Sequence, residues 1–366
     1  MTLKTTPLFE AHEALGASFT DFNGWNMPLK YSSEMTEHKA VREAVGVFDL
    51  SHMGEIFITG PEAVTGLNTA LAGDFSKMSV GRAKYTVILT EEGTILDDLI
   101  VYRLADDRYL MVPNAGNAAA VSAAVSERTA GMDAEVHDAT DELSLVGIQG
   151  PKAPDVVAAL GEDFAEAASS LKNYRVTQIT VNGSQWIVAR TGYTGEDGFE
   201  IITPNEAIRG LWDQLFGLDI GVDITPCGLA SRDSLRLEAG MPLYGNELST
   251  ERTPFEAGMG RIVSFDKPEN FVGREALEPL REQTPKQVLV GLTSEQRRAA
   301  RSDSAIVVDG QTIGVVTSGI PSPTLSKPVA LGYVDADHAE PDTAVEVDVR
   351  GKLLPFVITK PPFYSR

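Results

Sequence analysis

The sequence predicts an α+β protein whose chain closes with a separate antiparallel β-barrel. Two observations carry this. Up to about residue 280, helical and strand patterns are mixed. From residue 281 onward the chain is nearly all short strands, with no helix between them: QVLVGLT, SAIVV, TIGVVTSG, PVALGYV, AVEVDV and LLPFVIT. In the fifth of these, Val345, Val347 and Val349 alternate with Glu346, Asp348 and Arg350, the period of a strand with one buried face.

Along the first part, residues 8–22 and 34–46 read as short helices. GEIFITG alternates as a strand. KYTVILT, TILDDLIVYRL and YLMVPNAG read as a three-strand meander with turns at Glu91–Gly93 and Ala105–Arg108. The alanine-rich NAAAVSAAVSERTAG is a helix stopped by Gly131. SLVGIQG leads into a helix at PKAPDVVAALG, with Pro151 placed to open it. SQWIVART and GFEIITP are strands, and NEAIRGLWDQLFGL is an amphipathic helix. The linker REQTPKQ separates these elements from the barrel strands.

At 366 residues the chain has room for about two or three domains. A net charge of −21 works against nucleic acid, because phosphate neutralisation drives that affinity, and against anionic membranes. The single cysteine, Cys227, allows no internal disulfide and reads as a small buried filler. The N-terminus lacks the continuous apolar core of a signal peptide, and no apolar run reaches the length of a membrane span. A cytoplasmic monomer is expected. His12, His38, His52, His137 and His338 are scattered without paired spacing, so no metal site is expected.

Three features call for a ligand or a partner group. The stretch RTGYTGEDGFEI, residues 190–201, places Gly192, Gly195 and Gly198 around Glu196, Asp197 and Glu200. Glycine loops often cradle phosphate, but three carboxylates would repel one and no P-loop lysine is present. In ILDDLIVY, Asp97 and Asp98 point to opposite, otherwise apolar faces of one strand, so at least one carboxylate looks into a partly buried site. The alternative is a bulge where an aspartate caps a turn. In LASRDSLRLEAG, Arg236 can pair with Asp233, whereas Arg232 has no partner at helical spacing. Arg232 either salt-bridges another element or meets an anion. The tail KPPFYSR follows a strand directly and could fold back over a site with Tyr364 or Arg366.

The chain resembles the aminomethyltransferase, or T-protein, family of the glycine cleavage system over essentially its whole length. The resemblance rests on PLKYSSEMTEH, VFDLSHMGEI, GTILDDLIVYR, PNAGN, LVGIQGP, RTGYTGEDGFEI, CGLASRDSLRLEAGMPLYGNEL, TPFEAG and TSGIPSPTLSKPVALGYV, in that order. It implies a multidomain cloverleaf. A discontinuous folate-binding α+β body spans 1–280, as intertwined subdomains 1–52 with 139–280 and 53–138, and a C-terminal antiparallel β-barrel spans 281–366. It also implies the reaction. The one-carbon unit of the aminomethyl group on lipoyl H protein passes to tetrahydrofolate, giving 5,10-methylenetetrahydrofolate, ammonia and dihydrolipoyl H protein.

By motif, the catalytic acid falls on Asp98 and the pterin-binding acid on Glu200. A carboxylate can accept the pterin's adjacent ring N–H and amine together. The folate-contacting arginine falls on Arg232, and Tyr193, Met53 and Asn114 line the cavity. Tyr364 or Arg366 closes it. Tetrahydrofolate enters as co-substrate, with no metal and no flavin. The flavin-linked dehydrogenases that carry a similar module would need a GxGxxG after a first strand, which is missing. The folate-binding proteins of iron–sulfur assembly would need a Lys-Gly-Cys-Tyr-x-Gly-Gln motif where TGYTGEDG stands. The alternatives left are a stand-alone folate-dependent demethylase of the same fold and a folate-storing protein with no use for Asp98. Arg297, Arg298 and Arg301 in EQRRAAR form the densest basic patch, either a solvated loop or a docking point for H protein.

Overall fold

The computed structural model describes residues 2–366. Two sheets face each other, and each carries helices on its outer face. The six-stranded sheet runs in the order Arg175–Val181, Ser184–Arg190, Gly198–Pro204, Leu143–Gln149, Val45–Asp49, Ile224–Pro226. The five-stranded sheet runs Ala83–Leu89, Ile95–Ala105, Arg108–Pro113, Ile56–Thr59, Glu135–Asp138.

Strict alternation sorts side chains between the layers. Leu145, Ile187 and Ile202 meet Phe57, Tyr102 and Leu110 between the sheets. Val146, Val188 and Ile201 pack outward beneath the helices that supply Val156, Phe164 and Trp212. Ile58, Val101 and Met111 pack outward against Leu67 and Val125 of the helices Ala63–Ala70 and Ala118–Arg128. Both faces of the strand Ile95–Ala105 are apolar because both are covered.

The last six strands, Gln287–Thr293 through Leu353–Thr359, close into an antiparallel barrel in which every strand has two partners. The expected meander and barrel strands are all present. Among the described residues no helix is long and apolar enough to cross a membrane.

Three local expectations are corrected. Residues 8–22 are not one helix. Phe9–Ala14 is helical, and Ser18–Phe22 pairs with Trp25–Lys30 in a hairpin. Its turn, Asn23–Gly24, has φ of 52° and 84°, the left-handed pair that Asn-Gly favours in tight hairpins. The helix expected over 34–46 ends at Glu43, and Val45–Asp49 is a fully buried strand whose unbroken apolar run hid its period. Pro151 precedes the next helix, and Pro154 occupies its first turn.

The helix Leu229–Glu238 joins the body to the barrel. Arg236 donates to Glu247 and to Ser318 Oγ of the barrel, each at 2.8 Å. Buried Glu238 accepts from Arg42 Nη2 at 2.8 Å, Thr324 Oγ1 at 2.7 Å and Ser322 Oγ at 2.5 Å, with His38 Nε2 at 3.1 Å. Burial would raise its carboxyl, but His38, Ser322 and Thr324 outweigh it and pull the pKa down to about 2. With the folded value below the unfolded one near 4.3, this stabilisation is complete above that value and is lost as pH falls toward 2. Glu238→Gln should therefore lower the melting temperature at pH 7 and flatten its fall between about pH 4.5 and pH 2. Thermal unfolding across that range is the check, and an unchanged acid slope would show that Glu238 is not its source.

Candidate active site

A cavity of about 210 Å³ opens between the two sheets, and the helix Leu229–Glu238 forms part of its wall. Asp98, Asn114, Met53, Glu200, Tyr193 and Arg232 all line it. A larger open cavity of about 400 Å³, around Arg108, His137 and Gln178, shares none of its lining residues and holds no sequence-predicted site residue.

The strand Ile95–Ala105 turns Asp98 toward the cavity and Asp97 away from it. Asp98 Oδ2 accepts from Tyr85 OH at 2.8 Å, and Oδ1 accepts from Asn114 Nδ2 at 2.9 Å. Burial raises the Asp98 carboxyl, with the bonds from Tyr85 and Asn114 opposing. Asp97 is fully buried, and burial together with the charge of Asp98 pushes its pKa up to about 7. A bulge does occur here: the register skips Leu96, between Ile95 opposite Leu89 and Asp97 opposite Ile88. The side chain of Asp98 nevertheless meets Tyr85 and Asn114 rather than capping that bulge.

Of the three carboxylates in the glycine loop, only Glu200 reaches the cavity. Glu196 meets Arg42 Nη1 at 3.0 Å, and Asp197 accepts from Arg190 Nε at 2.8 Å. Glu200 Oε2 accepts from Tyr102 OH at 3.1 Å and from the Thr191 hydroxyl, which leaves Oε1 for a ligand. The glycines serve packing. A Cβ on Gly192 or Gly198 would lie 2.0 or 2.4 Å from the Gln149 amide, which bonds Thr191 O and Thr194 Oγ1.

Arg232 has no carboxylate within 4 Å among the described residues. Its guanidinium lies 4.7 Å over the Tyr193 ring, and burial lowers its pKa. A cation without a counter-charge beside a free carboxylate oxygen suits a ligand carrying both an anionic group and paired donors.

A family model described as the GCVT N-terminal domain matches residues 8–267, and one described as the glycine cleavage T-protein C-terminal barrel domain matches residues 287–365. The chain belongs to the glycine cleavage T-protein family. An aminomethyltransferase of Streptomyces coelicolor is 52% identical over 368 residues, covering 100% of this chain and 98% of that protein. One of Cutibacterium acnes is 50% identical, covering 100% and 99%. The crystal structure of glycine cleavage system aminomethyltransferase T from Bartonella henselae is 38% identical with a TM-score of 0.91, covering 99% of this chain and 98% of that one.

In this T-protein chain the tail does fold back, but Tyr364 and Arg366 do not reach the cavity wall. Both meet Glu196 at 2.7 Å, and Arg42 lies 4.1 Å over the Tyr364 ring. Tyr85, Tyr174 and His52 are among the cavity residues that escaped the sequence reading. Tyr85 sits two residues before Val87, the direct cross-strand partner of Asp98, and so reaches it diagonally. Tyr174, 41% exposed at φ 58°, is held there by its N–H on Arg190 O and its carbonyl on Ala83 N. His52 is buried with Nδ1 unpartnered. Burial and then Arg232 lower its pKa to about 4, so it is neutral at pH 7.

Proposed function

We propose that this chain transfers the one-carbon unit of the aminomethyl group on lipoyl H protein to tetrahydrofolate. The products are 5,10-methylenetetrahydrofolate, ammonia and dihydrolipoyl H protein. The observation that supports this is the meeting of Asp98, Glu200 and Arg232, far apart in sequence, on one cavity wall. The carbon leaves sulfur and the amine nitrogen and bonds two folate nitrogens, whose protons end on the thiol and the ammonia.

The residues fit that ligand. Glu200 Oε1 is open to the paired donors of a pterin, and Arg232 lacks a counter-charge and suits a folate carboxylate. Met53 and Tyr193 supply apolar and aromatic wall. Asp98, held at both oxygens, orients the folate nitrogens and accepts or returns a proton as general acid–base. The folate-binding body would span 1–280, as 1–52 with 139–280 and 53–138, and the barrel 281–366. The exposed Arg297, Arg298 and Arg301, in the loop between two barrel strands, are candidates for contact with H protein.

Purified protein mixed with tetrahydrofolate and aminomethyl-loaded, lipoylated H protein should form methylenetetrahydrofolate and ammonia in equal amounts. Folate binding without product formation would overturn the assignment. Arg232→Ala should weaken tetrahydrofolate binding by roughly ten- to a hundredfold, as for a lost charge-assisted bond, with the ligand-free melting temperature retained. A titration alongside a melting scan checks both. A large melting loss with affinity kept would make Arg232 structural.

A further inference from the structure

The face of the strand that carries Asp97 otherwise holds Leu99 and Val101, both buried and apolar. A carboxylate there costs several kcal/mol unless every lone pair is answered. Three donors answer it. Asn114 N gives 2.9 Å to Oδ2, Asn114 Nδ2 gives 2.8 Å to Oδ1, and Asn117 Nδ2 gives 2.7 Å to Oδ1. Asp97 does not line the cavity and touches no position where a substrate could sit.

Two of those donors belong to Asn114, which does line the cavity. Its Nδ2 has three further-constrained neighbours: Asp97 Oδ1, Asp98 Oδ1 at 2.9 Å and Asp98 O at 3.0 Å. An amide nitrogen carries two hydrogens and its oxygen carries none, so a cage of acceptors admits the amide in one orientation only. Asp97 supplies one wall of that cage and also grips the Asn114 main chain. Asn117, the residue before the helix Ala118–Arg128, anchors Asp97 from the other side. The chain of contacts therefore runs from the helix start through Asn117, Asp97 and Asn114 to Asp98 Oδ1, while Tyr85 holds Asp98 Oδ2.

We infer that Asp97 is a positioning residue for the reaction: it locks the Asn114 amide so that one N–H bears on Asp98 Oδ1 and fixes the catalytic carboxylate toward the cavity. This rests on the aminomethyl-transfer function and on Asp98 as its acid. Asp97 exchanges no proton with substrate and takes no part in folate binding.

The geometry predicts a specific kinetic pattern. Asp97→Asn keeps one acceptor oxygen but sets an NH2 group against either the Asn114 N–H or the side-chain amides of Asn114 and Asn117, so Asn114 is no longer held at both points. Turnover should fall by roughly ten- to a hundredfold through misplacement of Asp98, with the tetrahydrofolate KM within about threefold of the parent. Asn117→Ala, which removes one donor and lies outside the cavity, should show the same pattern at about fivefold. The deciding measurement is a double-mutant cycle. If Asp97 acts through Asp98, adding Asp97→Asn or Asn117→Ala to Asp98→Asn costs no further turnover. Undiminished turnover in Asp97→Asn overturns the inference, as does a loss confined to KM or a full multiplicative loss in the Asp98→Asn background. If Asp97→Asn does not fold, the Asn117→Ala arm and its cycle carry the test alone. Failure of the underlying function shows differently, as Asp98→Asn keeping parental turnover whatever stands at 97.

Discussion

Asp98→Asn leaves the fold intact and cuts turnover by roughly 10²–10⁴-fold, the range of a lost acid–base group. The change preserves shape, and Tyr85 and Asn114 can still bond the new amide in one of its two orientations, so the cavity wall should stand. Only the charge and the titration disappear. Because burial raises the Asp98 carboxyl, the parent's rate should fall on the acid side of that raised pKa, and the variant should lose this limb. Single-turnover rates across pH, with a melting scan on the same sample, test both. Parental turnover in Asp98→Asn together with an inactive Asp97→Asn would move the catalytic role to the neighbouring acid.

Glu200→Ala weakens tetrahydrofolate binding by about 2–5 kcal/mol, the cost of removing one partner of a buried charged hydrogen bond. The effect should fall on binding rather than folding. The two groups that Glu200 leaves behind, Tyr102 OH and Thr191 Oγ1, lie 3.0 Å apart and satisfy each other. Calorimetric titration of the ligand-free protein is the measurement, and an unchanged Kd would remove Glu200 from the site.

Strong short-range periodicity made much of the molecule legible. The barrel strands, the meander and the opposed faces of Asp97 and Asp98 follow from alternation alone, and the missing helix partner of Arg232 could be counted on the sequence. The hairpin at Asn23–Gly24 was also legible, since Asn-Gly is its standard turn, but the flanking apolar residues read equally well as helix. Val45–Asp49 could not be separated from the helix before it, because a strand buried on both faces has no alternation to show.

The site was harder where its members act across elements. Tyr85 and His52 carry no local mark. Tyr85 depends on strand register and His52 on what encloses it. Tyr364 and Arg366 point back at the body as expected, but which acidic residue they meet was set by Arg42, a cation on a helix more than three hundred residues earlier in the chain. Glu196 was thereby drawn out of the loop's ligand-facing set.

The helix Leu229–Glu238 has a consequence for how such proteins can be recombined. One edge of it presents Arg232 to the cavity, and four and six residues later Arg236 and Glu238 are sunk into contacts with Ser318, Ser322 and Thr324 of the barrel. The barrel strands look like an exchangeable module, since they close on themselves. Yet a barrel borrowed from a relative would arrive without those hydroxyls unless they matched. That would leave Arg236 to Glu247 and Glu238 to Arg42 but strip both of their barrel partners, in a helix that also carries Arg232. A chimera cut in the linker near 281 must therefore keep Ser318, Ser322 and Thr324 in the incoming barrel, because they are its half of the contact with this helix.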